Sequence, residues 1–271
     1  MNDAGLRVRS LVAALILLAL TSLSARADTK DDFLSDLHTF RVSNYLALDA
    51  YYRFSANGDT DTLNEIVGSI NDANSSMNDL SDSTAEVLSE GEVEALNLEF
   101  DTFKDLMRSN INDVRNTGYP DLRLVSDMAN QASAISAMAT ELYLAAQESR
   151  GTATRPRVEA ARSAATTLAQ MMAKYSARTH STVSQTFQGS SSDIPLDEQA
   201  LEFDTLLSEL TATSSEGELK ATLDDVSSKW QFIRSSYINY NDNNVSFVID
   251  RYSKGILRGL TTTIELLQKN A

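Results

Sequence analysis

Two histidines, no cysteine and a scatter of helix carboxylates are all this chain offers to chemistry. His38 has Asp36 and Arg41 near it, and His180 has Arg178. Neither has a carboxylate or second imidazole at the i, i+4 spacing that places two ligands on one helix face around a metal. Both read as surface histidines. Glu141, Glu148, Glu159 and Glu202 lack the Glu-x-x-His partner of a di-iron bundle. There is no Gly-x-Ser-x-Gly elbow, P-loop or dinucleotide fingerprint. With no cysteine, disulfides, thiolate metal sites, c-type haem attachment and thiol catalysis are all removed. The expectation is a protein that is not an enzyme and carries no cofactor.

Binding chemistry has more material. Tyr45, Tyr51, Tyr52 and Phe54 crowd one stretch, and Trp230, Phe232, Tyr237, Tyr240 and Phe247 crowd another. Tyrosine and tryptophan keep a polar handle that a pure core does not need, so such clusters can line a ligand cleft. The competing reading is that large side chains fill the widening ends of helix bundles. Arg108 and Arg234 occupy matching positions in two similar segments. Pointing inward, they could clamp a carboxylate through paired hydrogen bonds; pointing outward, they would lie along a bundle surface. Arg108, Arg234, Trp230, Tyr237 and Tyr45 are the candidate ligand-binding residues.

The elements that would position them are helices. Asn57-Gly58-Asp59, Glu90-Gly91, Gly118-Tyr119-Pro120, Gly151, Gly189, Pro195 and Gly217 punctuate long periodic stretches. Helices are expected at about 30–56, 60–82, 90–116, 121–149, 155–187, 196–211, 216–240 and 244–269. Leu219, Leu223, Val226, Trp230, Ile233, Tyr237 and Tyr240 recur at the 4, 3 spacing of an antiparallel bundle seam. Val93, Leu96, Phe100, Phe103, Met107, Ile111 and Val114 form a similar seam, as do Val245, Val248, Tyr252, Ile256, Leu260, Thr263 and Leu267. No stretch alternates with the period of a strand.

The halves also repeat. Ser89-Glu90-Gly91-Glu92-Val93 matches Ser215-Glu216-Gly217-Glu218-Leu219 at an offset of 126, and Phe100, Met107 and Arg108-Ser109 meet Val226, Ile233 and Arg234-Ser235. Gly58 corresponds to Gly189. The fold class is therefore all-α, two tandem up-down four-helix bundles over 28–150 and 151–271.

Residues 1–27 carry Arg7 and Arg9, an apolar run from Leu11 to Leu23, and Ala25-Arg26-Ala27. This is the layout of a cleaved secretory signal peptide, and the run is short for a bilayer span of ~20 residues. An uncleaved anchor is the competing reading. The absence of a cysteine after the run excludes a lipoprotein, and the compact basic region suggests a Gram-negative periplasm. No stable membrane insertion is expected after cleavage. Losing three basic residues and one acidic residue with the leader takes the net charge from −15 to −17. Such a field disfavours nucleic acid and anionic lipid, both of which need clustered Lys and Arg.

Leu168-Ala169-Gln170-Met171-Met172-Ala173-Lys174 resembles the Leu-Ser-Gln-Arg-Met-Ala-Lys segment of one family. Phe203 to Leu210, Leu219-x3-Leu223-x2-Val226-x3-Trp230, and Val248 through Ser253, Ile256 and Leu257 resemble its later helices. On these residues the second half resembles the N-terminal sensing module of the type IV pili methyl-accepting chemotaxis transducers, also found in nitrate-sensing kinases. The likeness covers about 155–270, and reaches 30–150 only through the internal repeat. It implies a helical fold and a binding role. The family's Gly-Arg-Gln-Arg-Met has no counterpart at Ala164-Ala165-Thr166-Thr167, and Met171 stands where the family places the next Arg, so no anion site carries over. There is also no second span, signalling coiled coil or kinase. The functional expectation is a periplasmic sensing or binding protein whose partner is a small-molecule ligand or an envelope protein, with homodimer formation left open. The alternative is a structural envelope scaffold.

Overall fold

The computed structural model describes residues 32–83, 88–149, 155–180, 194–241 and 244–269. Residues 1–27, Gly151, Gly189 and the end of the expected fifth helix lie outside these, so the leader and the Gly58–Gly189 correspondence do too. The described residues form eight helices and no strand. They are α1 (32–57), α2 (Thr60–Ser83), α3 (Glu90–Thr117), α4 (Leu122–Ser149), α5 (Pro156–His180), α6 (Leu196–Thr211), α7 (Gly217–Ile238) and α8 (Ser246–Lys269).

Local chemistry sets the ends. Gly58 and Gly118 take positive φ values of 65° and 84°, where a side chain would collide with its own backbone, and so close α1 and α3. Asp59 opens α2 by accepting from the Thr62 N–H at 2.9 Å and the Thr62 hydroxyl at 2.8 Å. At α3, the Glu92 carboxylate reaches back to the N–H and hydroxyl of Ser89, at 2.9 and 2.6 Å. None of the described helices is long and apolar enough to cross a membrane.

Successive helices run antiparallel. In the second half α5 packs on α6 and α8, and α7 on the same two, closing a four-helix ring around Leu168, Phe203, Trp230, Ile233, Tyr237 and Ile256. In the first half α3 packs on α2 and α4, while α1 lays Phe40 against Phe100 of α3 with ring centroids 5.1 Å apart. The chain is thus two up-down four-helix bundles, each with its own core.

The α3 seam departs from the expected one at a single place. Asn110, fully buried, takes the core position instead of Ile111, which is partly buried. Its amide donates to the Leu106 and Leu124 carbonyls, and its Oδ1 accepts from the Tyr51 hydroxyl at 3.3 Å. A polar group sealed in the core is tolerable only with its bonds made, and these bonds tie α1, α3 and α4 into one register. On α8 the first two turns bury Ile249 and Ser253 in place of Val248 and Tyr252, because the helix faces both α5 and α7.

The bundles lie side by side, joined through α1 and α5. Ser35 accepts from Arg162 at 2.6 Å and Asp49 accepts from Ser176 at 2.5 Å; both pairs are 127 residues apart. A constant separation means that the two helices run parallel and in register. Both are buried on almost every side. Alanine makes this close approach feasible: Ala160, Ala161, Ala164, Ala165, Ala169, Ala173 and Ala177 are all buried on α5, and the last two pack into the first bundle's core.

Candidate functional site

Because α1 and α5 form the centre, each of their flanks is a seam between bundles. One flank, between α2 and α8, is filled by charge. Arg53 bonds Asp49 at 2.8 Å and Glu65 at 2.5 Å, and lies 3.5 Å from Asp250; Lys254 joins Glu65 and Asp250 at 2.7 and 2.9 Å. Burial opposes the Arg53 charge, but Asp49, Asp250 and Glu65 outweigh it and hold its pKa above the ordinary value. Burial pushes the Asp49 carboxyl up, against the pull of Arg53 and the Ser176 hydroxyl.

The other flank is an open groove of about 520 Å³ between α4 and α6. Its floor is Arg41 and Tyr45 from α1 with Ser163, Thr166, Thr167 and Gln170 from α5. Ser133, Ser136, Thr140 and Glu141 line the α4 wall; Glu202 lines the α6 wall, with Ile194 just ahead of that helix. The lining is mostly hydroxyl and charge, so it suits a polar ligand. Several hydroxyls are already engaged with their own helix, Thr140 to the Ser136 carbonyl and Thr166 to the Arg162 carbonyl. Ser163 and Thr167 have no hydrogen-bond partner among the described residues.

Arg41 is the distinctive group. Its guanidinium carbon lies 5.1 Å from the Tyr143 ring centroid, a cation–π contact, and it has no hydrogen bond or ion pair among the described residues. Burial lowers its pKa, with Tyr143, Tyr45 and Glu159 opposing. Behind it lies a sealed network. Tyr143 donates to Glu159 at 2.5 Å, Arg162 reaches Glu159 at 3.3 Å, and Arg162 is 1% exposed. His38 is buried beside these groups rather than on the surface, a correction that follows from α1 being covered by both bundles. Burial, then Arg162 and Arg41, hold its pKa down at about 3, so it is neutral at ordinary pH.

The five expected ligand-binding residues do not meet. Arg108 is 70% exposed and pairs with Asp105 one turn away. Arg234 binds Asp204 of α6 at 2.6 Å on the outside of the second bundle. Each follows a seam residue, Met107 or Ile233, and the 100° step of the helix turns it away from the core. No inward clamp forms. Trp230 and Tyr237 are core, 2% and 0% exposed; the indole donates to Asp204 at 2.7 Å and the phenol shares a hydrogen bond with Ser253 at 2.9 Å. Only Tyr45 lines the groove. Among the described residues, no three His, Asp or Glu side chains gather where they could hold a metal ion.

Sequence reasoning passed over Arg41, Ser163 and Thr167 as site residues. The available signal was an arginine set between Phe40 and Val42 on α1, together with the Ser-Ala-Ala-Thr-Thr run over 163–167 on α5. Comparison with protein-family models, curated proteins and solved structures finds no match to this chain, so the likeness to transducer sensing modules rests on the residues quoted for it.

Proposed function

We propose that this chain is an exported, non-catalytic binding protein that receives a small polar molecule in the groove between its two bundles, in the manner of a sensory input module. The observation that carries this is Arg41: a half-buried guanidinium on the groove floor without an acceptor. Taking a charge out of water costs several kcal/mol, and an acceptor on a ligand would restore what burial removed. The groove is framed by helices of both bundles, so an occupant would bias their packing, which is what sensing requires.

Thermal melting of the exported form with a panel of small carboxylates, other anions and amino acids tests the reading. A binder should raise Tm by about 5 °C at saturation, and Arg41→Ala should abolish the rise. A panel without effect would overturn it.

A second reading, a structural envelope spacer, draws on the sealed bundle cores and on Arg108 and Arg234 facing solvent. It expects the same melting curve with every ligand.

A further inference from the structure

Resting on the groove as a ligand site, we infer that its occupant is a zwitterion with a carboxylate and an ammonium group, of the size of an amino acid or dipeptide. The charges of the lining dictate this. Arg41 on the floor is the groove's one cation among its described lining residues, and it lacks an acceptor. Glu141 on α4 and Glu202 on α6 face the groove from opposite walls, both exposed, and neither has a cationic partner among the described residues. An anion alone would have to pass two like charges to reach Arg41. A cation alone would meet Arg41 at the floor. A molecule carrying both groups satisfies each, its carboxylate taking paired hydrogen bonds from the guanidinium and its ammonium lying between the two walls.

The rest of the lining agrees. Ser163 and Thr167 present hydroxyls that bond nothing else among the described residues, and either can donate to the same carboxylate. Thr167 is 8% exposed, so its side chain is fixed by packing before any ligand arrives. A volume of about 520 Å³ exceeds a single small amino acid and accommodates a dipeptide.

Calorimetric titration of the full chain separates the possibilities. The probes are the protein amino acids and Ala-Ala, each beside its N-acetylated form, which lacks the ammonium, and its amide, which lacks the carboxylate. The free zwitterion should bind at least about tenfold more tightly than either blocked form. Arg41→Gln should weaken zwitterion and N-acetyl forms together, by about tenfold or more. The double variant Glu141→Gln/Glu202→Gln should weaken only molecules with a free ammonium. Arg108→Gln, on the far outer surface, should change nothing. If Arg41→Gln melts below the assay temperature, Arg41→Lys, which keeps the charge and loses the fork, takes its place with a smaller loss in the same direction. N-acetyl forms binding as well as free ones, through Arg41, would overturn the zwitterion and leave the groove standing. Binding by none of these probes, while a small anion still raises Tm through Arg41, would overturn the zwitterion alone; no effect from any probe or anion, or binding indifferent to Arg41, would overturn both.

Discussion

Asp49 and Ser176, 127 residues apart, share a 2.5 Å hydrogen bond across the central helix pair, and Asp49 at the same time carries the Arg53 guanidinium. The contact joins equivalent stretches of the two bundles and closes one flank of their seam. A buried carboxylate that loses its cation is costly. Arg53→Met should therefore destabilise the protein by about 3 kcal/mol, whereas Ser176→Ala should cost about 1 kcal/mol. Urea unfolding would show both as lower midpoints with unchanged slope.

The sole tryptophan lies in the second bundle's core, packed against Phe203 with centroids 4.4 Å apart and ring planes tilted by 50°. Its N–H and the Arg234 guanidinium share Asp204. Asp204→Ala leaves that buried indole without an acceptor and should cost about 2 kcal/mol. Because the seam ties the bundles together, tryptophan fluorescence and helical circular dichroism should unfold at one midpoint in the native protein. Two separate midpoints would show that the seam does not couple them.

Two glycines on α8 should respond oppositely to alanine. A Cβ on Gly259 would collide with the Val226 side chain where α7 and α8 cross closely, so Gly259→Ala should destabilise by about 2 kcal/mol. At Gly255 the nearest atoms are 3.1 Å away on the flexible Lys229 stem, which can give way. There alanine should gain up to about 1 kcal/mol of helix propensity. Thermal melts of the two variants check the contrast.

Acid should act through two groups of opposite sign. His38 is held at about 3 in the fold against an ordinary 6.5, so the unfolded chain takes up its proton first. Stability is lost as pH falls from 6.5 towards 3, and the His38 ring signals should not titrate down to pH 5 by NMR. Asp36 is raised from 3.8 to about 6 by burial and by Asp79 and Asp32. The fold holds that proton more tightly, so stability is lost as pH rises from 3.8 to about 6. Asp36→Asn should gain about 1 kcal/mol at pH 7, after allowance for solvent screening, and nothing at pH 3.

Helix number, order and most boundaries were legible in the chain itself, because periodicity and turn chemistry act over a few residues. The seams through Phe100, Phe103 and Met107 and through Val226, Trp230 and Ile233 follow from spacing alone. Spacing is also why Arg108 and Arg234, each one step past a seam, look equivalent. Which way each points depends on where the neighbouring helices stand, and both point outward. Asn110 entered the core because Tyr51 and the Leu124 carbonyl meet it there, and both belong to other helices. The groove is further still from local reading, since Arg41, Glu141, Thr167 and Glu202 come from four helices spread along the chain. A sequence specifies which faces are oily by the residues three and four positions apart. It is the parallel docking of α1 on α5 that decides which polar groups are sealed, paired or left facing an open seam.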